Sequence, residues 1–202
     1  MFQKYFKIFA DPIYKNNPVI VQVLGICSAL AITVKLQAAV IMALSLIFVT
    51  AMSNAIMSLI RKTVPQRIRI IVQLVVIAFL VIIIDQFLKA YVFNLSKELS
   101  IYVGLIITNC IIMGRIEAYA LQNKVFPSFL DGLGNGLGYG LILIIVAFFR
   151  ELLGYGTIWN IKVIPDSFYK IGYENNGLMI LPPMALIMIG IIISLKNFKV
   201  KN

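Results

Sequence analysis

Six apolar segments take up most of this 202-residue chain, and no long polar stretch separates them. A helix needs roughly 20 mainly apolar residues to cross a bilayer. The second, third and sixth segments meet that length, and the fifth does so when its glycine-rich entry is included. We therefore expect an all-α integral membrane protein with six transmembrane helices in one polytopic domain, residues 1–202. The segments cover about residues 19–34, 36–60, 68–88, 101–113, 137–153 and 178–195.

Composition supports this class. Hydrophobic residues make up 61% of the chain and charged residues 13%, whereas a soluble domain is nearer half apolar and a quarter charged. The formal net charge of +10 favours basic cytoplasmic loops over nucleic-acid binding. The N-terminal stretch lacks a clean apolar core and a small-residue cleavage site, so we expect no removable signal peptide.

Lysine and arginine placement predicts the orientation. With six crossings, the N-terminus, the loops after segments two and four, and the C-terminus lie on one side and carry most of the 18 basic residues. The cluster RKTVPQRIR, residues 61–69, is the strongest contribution. Both termini are thus predicted to be cytoplasmic.

The first and fourth segments are short, and each holds one of the two cysteines, Cys27 and Cys110. Short hydrophobic segments at matching positions of two halves are typical of inverted repeats, whose broken helices meet near the membrane centre. We predict two inverted three-helix repeats, over about residues 16–92 and 98–198, with helices 1 and 4 short or broken. Residue identity between the two halves is low.

Three roles stay open for Cys27 and Cys110 on this reasoning. They are buried packing residues, since free cysteine behaves as a small apolar residue, or they form one disulfide, or they are half of a shared metal site. An iron site of thiolates needs four ligands, so a partner chain would supply two. Gly25 and Asn109 lie nearby and can interrupt a helix. In the fourth segment we expect the backbone to leave regular helix at Asn109 and Gly114.

Three further features have a structural interpretation that we favour. The glycines of DGLGNGLGYG, residues 131–140, repeat every four positions, a pattern of close helix packing in lipid. Asp85 lies near the end of the third segment, which favours a position at the membrane interface over a role in a cation path. Arg150 and Glu151 are neighbours on a helix and do not face each other, so we expect an interfacial boundary there.

Several long motifs occur together and in one order along the chain: NNPVIVQVLGICSALAIT, IRIIVQLVVIAFLVIIIDQFLKAY, LSIYVGLIITNCIIMGRIEAYA, DGLGNGLGYG, FFRELLG and NGLMILPP. From about residue 16 to about residue 198 the chain resembles the D subunits of the sodium-translocating NADH:quinone oxidoreductases. TNC, GRIEA and the glycine-rich entry are also similar to the E subunits of Rnf electron-transport complexes. The acid in IIIDQ and the stretch LSKELS agree better with the sodium pumps.

This resemblance implies a six-helix subunit that pairs with a homologous E subunit of opposite topology. It implies that Cys27 and Cys110 are two of four cysteines that hold a 2Fe–2S cluster between the two subunits. No catalytic residue is expected in this chain, because the resemblance places the flavins, the NADH site and the quinone site on other subunits. The expected partners are the A, B, C, E and F subunits and membrane lipid, without nucleic acid.

The expected function is that of one subunit of a reductase, not catalytic alone, in a bacterial inner membrane. It would carry electrons across the membrane through the shared iron–sulfur site, coupled to Na⁺ export. Two alternatives remain at this point. One is the E subunit of an Rnf ferredoxin:NAD⁺ oxidoreductase, and the other is a small secondary transporter, since inverted repeats with broken helices also build transporters.

Overall fold

The computed structural model describes residues 2–14, 16–91, 102, 104–159, 161–162 and 177–201. Within these residues the protein is helical, with one small antiparallel ribbon of two strands, β1 and β2. The α-helices and strands, in chain order, are α1 Phe2–Tyr14, α2 Ile26–Ile32, α3 Leu36–Ile60, α4 Arg69–Tyr91, α5 Cys110–Arg115, α6 Val125–Tyr155, β1 Thr157–Ile158, β2 Ile161–Lys162 and α7 Pro182–Lys201.

Residues 104–107 are also α-helical and precede the break at Asn109. Three shorter helical elements lie elsewhere in the described residues. A 3₁₀ turn, Gln66–Ile68, leads into α4, and another, Gly177–Ile180, precedes α7. A π-helix, Ile116–Ala120, continues α5 directly. The ends of the long helices follow from local chemistry. Helix α6, for example, ends at Tyr155 and is capped by Gly156, which has left-handed backbone (φ 67°) and donates its N–H to the Leu152 carbonyl at 3.1 Å.

Three helical stretches are long and apolar enough to cross a membrane among the described residues: Leu36–Ile60, Gln66–Ala90 and Val125–Tyr155. A shorter apolar helix covers Pro182–Lys196. The prediction of a helical membrane protein is therefore confirmed. Six crossings arranged as two inverted repeats are not established by these elements and stay a prediction, as do the repeat boundaries and the cytoplasmic side of the termini.

The centre of the fold is the pair α3 and α6. In lipid there is little hydrophobic gain from helix association, so close packing and polar contacts supply the stabilisation. Helix α6 achieves that closeness with glycines. A Cβ added at Gly132 would lie 2.8 Å from the Ala51 Cα, and one at Gly136 would lie 2.8 Å from the Ile47 Cα. The backbones of α3 and α6 thus touch directly.

A second row of glycines lies on another face of α6 and receives α1. A Cβ on Gly134 would lie 2.5 Å from the Phe9 carbonyl oxygen, and one on Gly138 would lie 2.9 Å from the Pro12 carbonyl oxygen. The predicted packing role of the glycine-rich stretch is confirmed. The alternating spacing serves two neighbours, because residues four apart share a helix face and residues two apart do not.

The structure corrects three expectations about the elements. Helix α1 is an additional helix that the six segments omit. The fifth segment is much longer than predicted, since α6 begins at Val125. Gly114 lies inside the α-helix Cys110–Arg115, and the departure from α geometry comes two residues later, where the π-helix begins. The prediction of a break at Gly114 was therefore wrong, whereas the predicted break at Asn109 is confirmed.

Candidate functional site

Both cysteines lie at the starts of the two short helices. Helix α2 has seven residues and its N-cap is Gly25, in left-handed backbone (φ 78°), which glycine adopts at little steric cost. Helix α5 has six residues and its N-cap is Asn109, in extended backbone. Cys27 is the second residue of α2 and Cys110 is the first of α5. The predicted short, interrupted segments are confirmed.

The two helix starts touch each other. The backbone N–H of Gly25 donates a hydrogen bond to the Cys110 sulfur, with N and Sγ 2.9 Å apart. The absence of a side chain at Gly25 is what permits this approach. A Cβ there would lie 2.5 Å from Ile111 Cδ1 and 2.8 Å from Tyr139 Cε2. The cysteine-bearing segments, far apart in sequence, are thus brought to one place.

Cys27 and Cys110 are both free and both exposed. This excludes the disulfide in this structure, and it contradicts the interpretation of both thiols as buried packing residues. Within the described part of the chain, no group of three or more cysteine or acidic side chains could hold a metal ion. The donor set offered here is two accessible thiols, which fits half of a four-thiolate site and not a complete one.

A buried polar group lies directly behind the helix starts. The Tyr139 hydroxyl is 2.5 Å from Ser28 Oγ, and the Asn109 amide donates to the same Ser28 oxygen over 3.2 Å. Asn109 also caps α5, since its Oδ1 accepts from the Ile111 N–H at 3.1 Å. Tyr139 and Ser28 are 0% and 5% exposed. Sequence reasoning missed both residues, because neither belongs to a motif that carries chemistry.

Arg150 holds the far end of α2. Its guanidinium donates to the Leu30 carbonyl at 3.3 Å and to Thr33 Oγ1 at 2.5 Å. It also bonds the Ile180 carbonyl at 2.7 Å. A cation is favoured near the carbonyl end of a helix, and these acceptors satisfy a side chain that is only 1% exposed.

The interfacial boundary expected at Arg150 and Glu151, in the last two turns of α6, stays a prediction, and the structure adds that both side chains are buried within the protein. Glu151 is 5% exposed, and its carboxylate accepts from the Leu36 N–H, at the start of α3. Both charges are buried because helix ends from elsewhere in the chain offer them hydrogen-bond partners. Nothing local to FFRELLG could show those partners.

Helix α5 is attached to α6 by a different charge pair. Arg115 makes two hydrogen bonds to the Asp131 carboxylate, with Nε to Oδ2 at 3.1 Å and Nη2 to Oδ1 at 2.5 Å. The side chains are 15% and 4% exposed. Asn135 adds a third hydrogen bond to the same carboxylate at 3.1 Å. This paired, fork-shaped contact is the strong form of an ion pair.

Asp85 lies within the last two turns of α4, where Lys89 pairs with it over 2.5 Å, one turn further on. The side chains are 19% and 44% exposed, with Asp85 the less exposed of the two. This pairing is consistent with the interfacial interpretation. It gives no support to a cation path, because the carboxylate already has a cationic partner on its own helix.

A long helix with two glycine faces and two short interrupted segments that meet define a class of protein: a helical membrane protein with two exposed cysteines on the segments that meet. Sequence comparison agrees with that class. Residues 5–193 match the family described as "Rnf-Nqr subunit, membrane protein". The chain belongs to this family.

Two relatives are similar over nearly the whole chain. The D subunit of the Na(+)-translocating NADH-quinone reductase of Photobacterium profundum is 56% identical over 187 residues, which cover 93% of this chain and 89% of that protein. The protein of the same name from Psychromonas ingrahamii is 54% identical over 186 residues, which cover 92% and 89%. The resemblance seen in the sequence motifs is thereby confirmed.

Proposed function

We propose that this chain is the D-type membrane subunit of a Na⁺-translocating NADH-quinone reductase, and that it carries electrons across a bacterial inner membrane. The observation that carries this proposal is the contact of the two helix starts, which brings the cysteine-bearing segments together while both thiols stay exposed. The similarity to two subunits named for the quinone reductase favours this activity over that of an Rnf complex. The same similarity disfavours an independent transporter.

The two thiols are proposed to supply half of the ligands of a 2Fe–2S cluster. The missing two would come from a homologous E subunit that packs against the surface on which Cys27 and Cys110 are exposed. When bound, such a cluster accepts and releases one electron at a time. The thiolates are the ligand type that iron–sulfur clusters use.

Gly25 and Ile111 determine the position and the surroundings of the Cys110 sulfur. Gly25 donates its N–H toward the Cys110 sulfur, and hydrogen bonds to cluster sulfurs tune the reduction potential. Ile111 fills the space beside Gly25 and is fully buried, so water is excluded on the inner side of Cys110. The flavins, the NADH site and the quinone site are assigned to other subunits of the complex.

The test replaces Cys110 with alanine in the assembled complex and measures bound iron and NADH-driven quinone reduction. We expect the iron of this site to be lost and quinone reduction to fall to background, because three thiolates do not complete the ligand set. Cys110→Ser, which keeps the side-chain volume, should give the same loss. Ser194→Ala, at an exposed position of α7, is the matched control. Iron content and turnover that both match the unsubstituted complex would contradict the proposal.

A further inference from the structure

The hydrogen bonds behind the two cysteines form one connected unit that joins three helices. Ser28 belongs to α2, Asn109 caps α5, and Tyr139 lies in the middle of α6. The Ser28 hydroxyl donates to the Gly25 carbonyl at 3.0 Å. Ser28 Oγ accepts the bond from the Asn109 amide. The Ser28 and Tyr139 hydroxyls share a further hydrogen bond in which either oxygen can donate, and the Tyr139 hydroxyl also lies 3.5 Å from the Gly25 carbonyl oxygen. We call Ser28, Asn109 and Tyr139 the clamp.

The clamp is buried, and its hydrogen bonds join side chains from different helices. Tyr139, Ser28 and Asn109 are 0%, 5% and 4% exposed. A buried hydroxyl or amide that loses its partner costs about 1–3 kcal/mol. Sliding α2 against α5 would break the bond between Ser28 and Asn109, and withdrawing α6 would break the bond at Tyr139. The polar group therefore selects one relative position of the three helices.

Tyr139 is the fixed point of this arrangement. Its helix, α6, is held by backbone contact with α3 at Gly132 and Gly136, whereas α2 and α5 have only seven and six residues. Short helices are marginal by themselves and depend on tertiary contacts. The Tyr139 hydroxyl fixes the position of α2 through its hydrogen bond with Ser28. Ser28 in turn fixes the start of α5 through its hydrogen bond with Asn109.

We propose that Tyr139 is a positioning residue whose hydroxyl, through Ser28 and Asn109, sets the separation of the two cysteine-bearing helix starts and holds the Gly25 N–H on the Cys110 sulfur. The positioning of the helix starts and of the Gly25 N–H concerns this chain alone. An effect of that positioning on a bound cluster rests on the proposed function. Removal of the clamp loosens the bond from Gly25 to Cys110, and a weaker hydrogen bond to sulfur favours the oxidised cluster.

The test uses the complete complex with Tyr139→Phe, which removes one oxygen and keeps the ring. Hydrogen–deuterium exchange of the peptide that contains Gly25 reports the N–H bond without reference to iron. An EPR redox titration reports the cluster. We expect exchange to become about fivefold faster, as for the loss of one net hydrogen bond. We also expect the midpoint potential to shift to more negative values with iron content unchanged.

A second variant and a control make the result specific. Ser28→Ala should reproduce both shifts, and the double variant should add little to either single one, because the residues act as one unit. Tyr5→Phe removes a tyrosine hydroxyl near Phe126, which its ring contacts at 5.4 Å. Phe126 lies about 20 Å from Tyr139 along α6 at 1.5 Å per residue. Tyr5→Phe should change neither readout.

The outcomes separate this inference from the proposed function. Unchanged exchange and unchanged potential in both Tyr139→Phe and Ser28→Ala would overturn the clamp. Reduced amounts of complex with an unchanged potential would show that Tyr139 has a structural role only, which also overturns the positioning role. Faster exchange in a complex that never held iron at the cysteines would support the clamp and refute the proposed function.

Discussion

The two short helices occupy the same site but reach it by different local chemistry. Helix α2 begins at a glycine with positive φ and has no side-chain cap, whereas α5 begins at Asn109, whose side chain supplies the cap. The end of α2 is bound by Arg150, a residue of α6 that donates to the Leu30 carbonyl. The end of α5 instead supplies its own arginine, Arg115, which donates to Asp131 on α6. The two cysteine-bearing helices therefore reach one site with different capping residues and different arginine contacts.

The largest expected effect comes from breaking the attachment of α5. Arg115→Gln leaves the buried Asp131 carboxylate without its cationic partner, and such a loss typically costs about 3–5 kcal/mol. Thermal unfolding of the purified complex measures it. Lys89→Gln is the matched control, because its pair with Asp85 is more exposed and contributes about 0.5 kcal/mol or less. Equal losses in the two variants would contradict the special role of the buried pair.

The next effect should be specific to α2. Gly25→Ala forces an L-residue into left-handed backbone, which costs about 1–2 kcal/mol, and places a methyl group against Ile111 and Tyr139. We expect reduced thermal stability and loss of bound iron, measured on the same preparation. The control is Gly190→Ala on α7, where an added Cβ meets nothing within 4 Å. If Gly25→Ala retains iron and stability like this control, the close contact of the helix starts is not required.

The smallest effect should be at the cap of α5. Asn109→Ala removes the bond to the Ile111 N–H and costs about 1 kcal/mol. Asn109→Ala should also speed hydrogen–deuterium exchange of the Gly25 N–H, because the amide that bonds Ser28 is lost. Asn109→Ser restores a capping oxygen but not that amide, so stability should recover while exchange of the Gly25 N–H stays as fast as in the alanine variant. Chemical denaturation and hydrogen–deuterium exchange separate the two quantities. Recovery of both by serine would show that Asn109 acts only as a cap.

Sequence was sufficient where the deciding information is local. The spacing of Gly132, Gly136 and Gly140 predicts a packed helix face, and the structure has that face against α3. Two cysteines in two short segments, beside Gly25 and Asn109, predict interrupted helices that meet. Both predictions depend on backbone geometry that a few neighbouring residues impose.

Sequence was insufficient where the partner is distant in the chain. The motif FFRELLG does not show that Arg150 and Glu151 are buried, because their partners Thr33 and Leu36 lie more than a hundred residues earlier. Tyr139 looks like one more residue of a glycine-rich run, and only folding brings Ser28 to its hydroxyl. Helix α1 is different, because its aromatic residues at positions 2, 5, 6 and 9 have the three- and four-residue spacing of an amphipathic helix, a local signal that mean hydropathy alone does not register.

The two glycine faces of α6 have a mechanical consequence. With no layer of side chains between α6 and its neighbours on these faces, a tilt or rotation of α6 would drive backbone into backbone at Gly132 and Gly134. Side-chain rotamer changes cannot absorb such a movement. We therefore expect helices α1, α3 and α6 to move together. Among the described residues, the backbone breaks that directly precede the two cysteine-bearing helices are at Gly25 and Asn109, and we expect a rearrangement at the cysteines to bend the chain there.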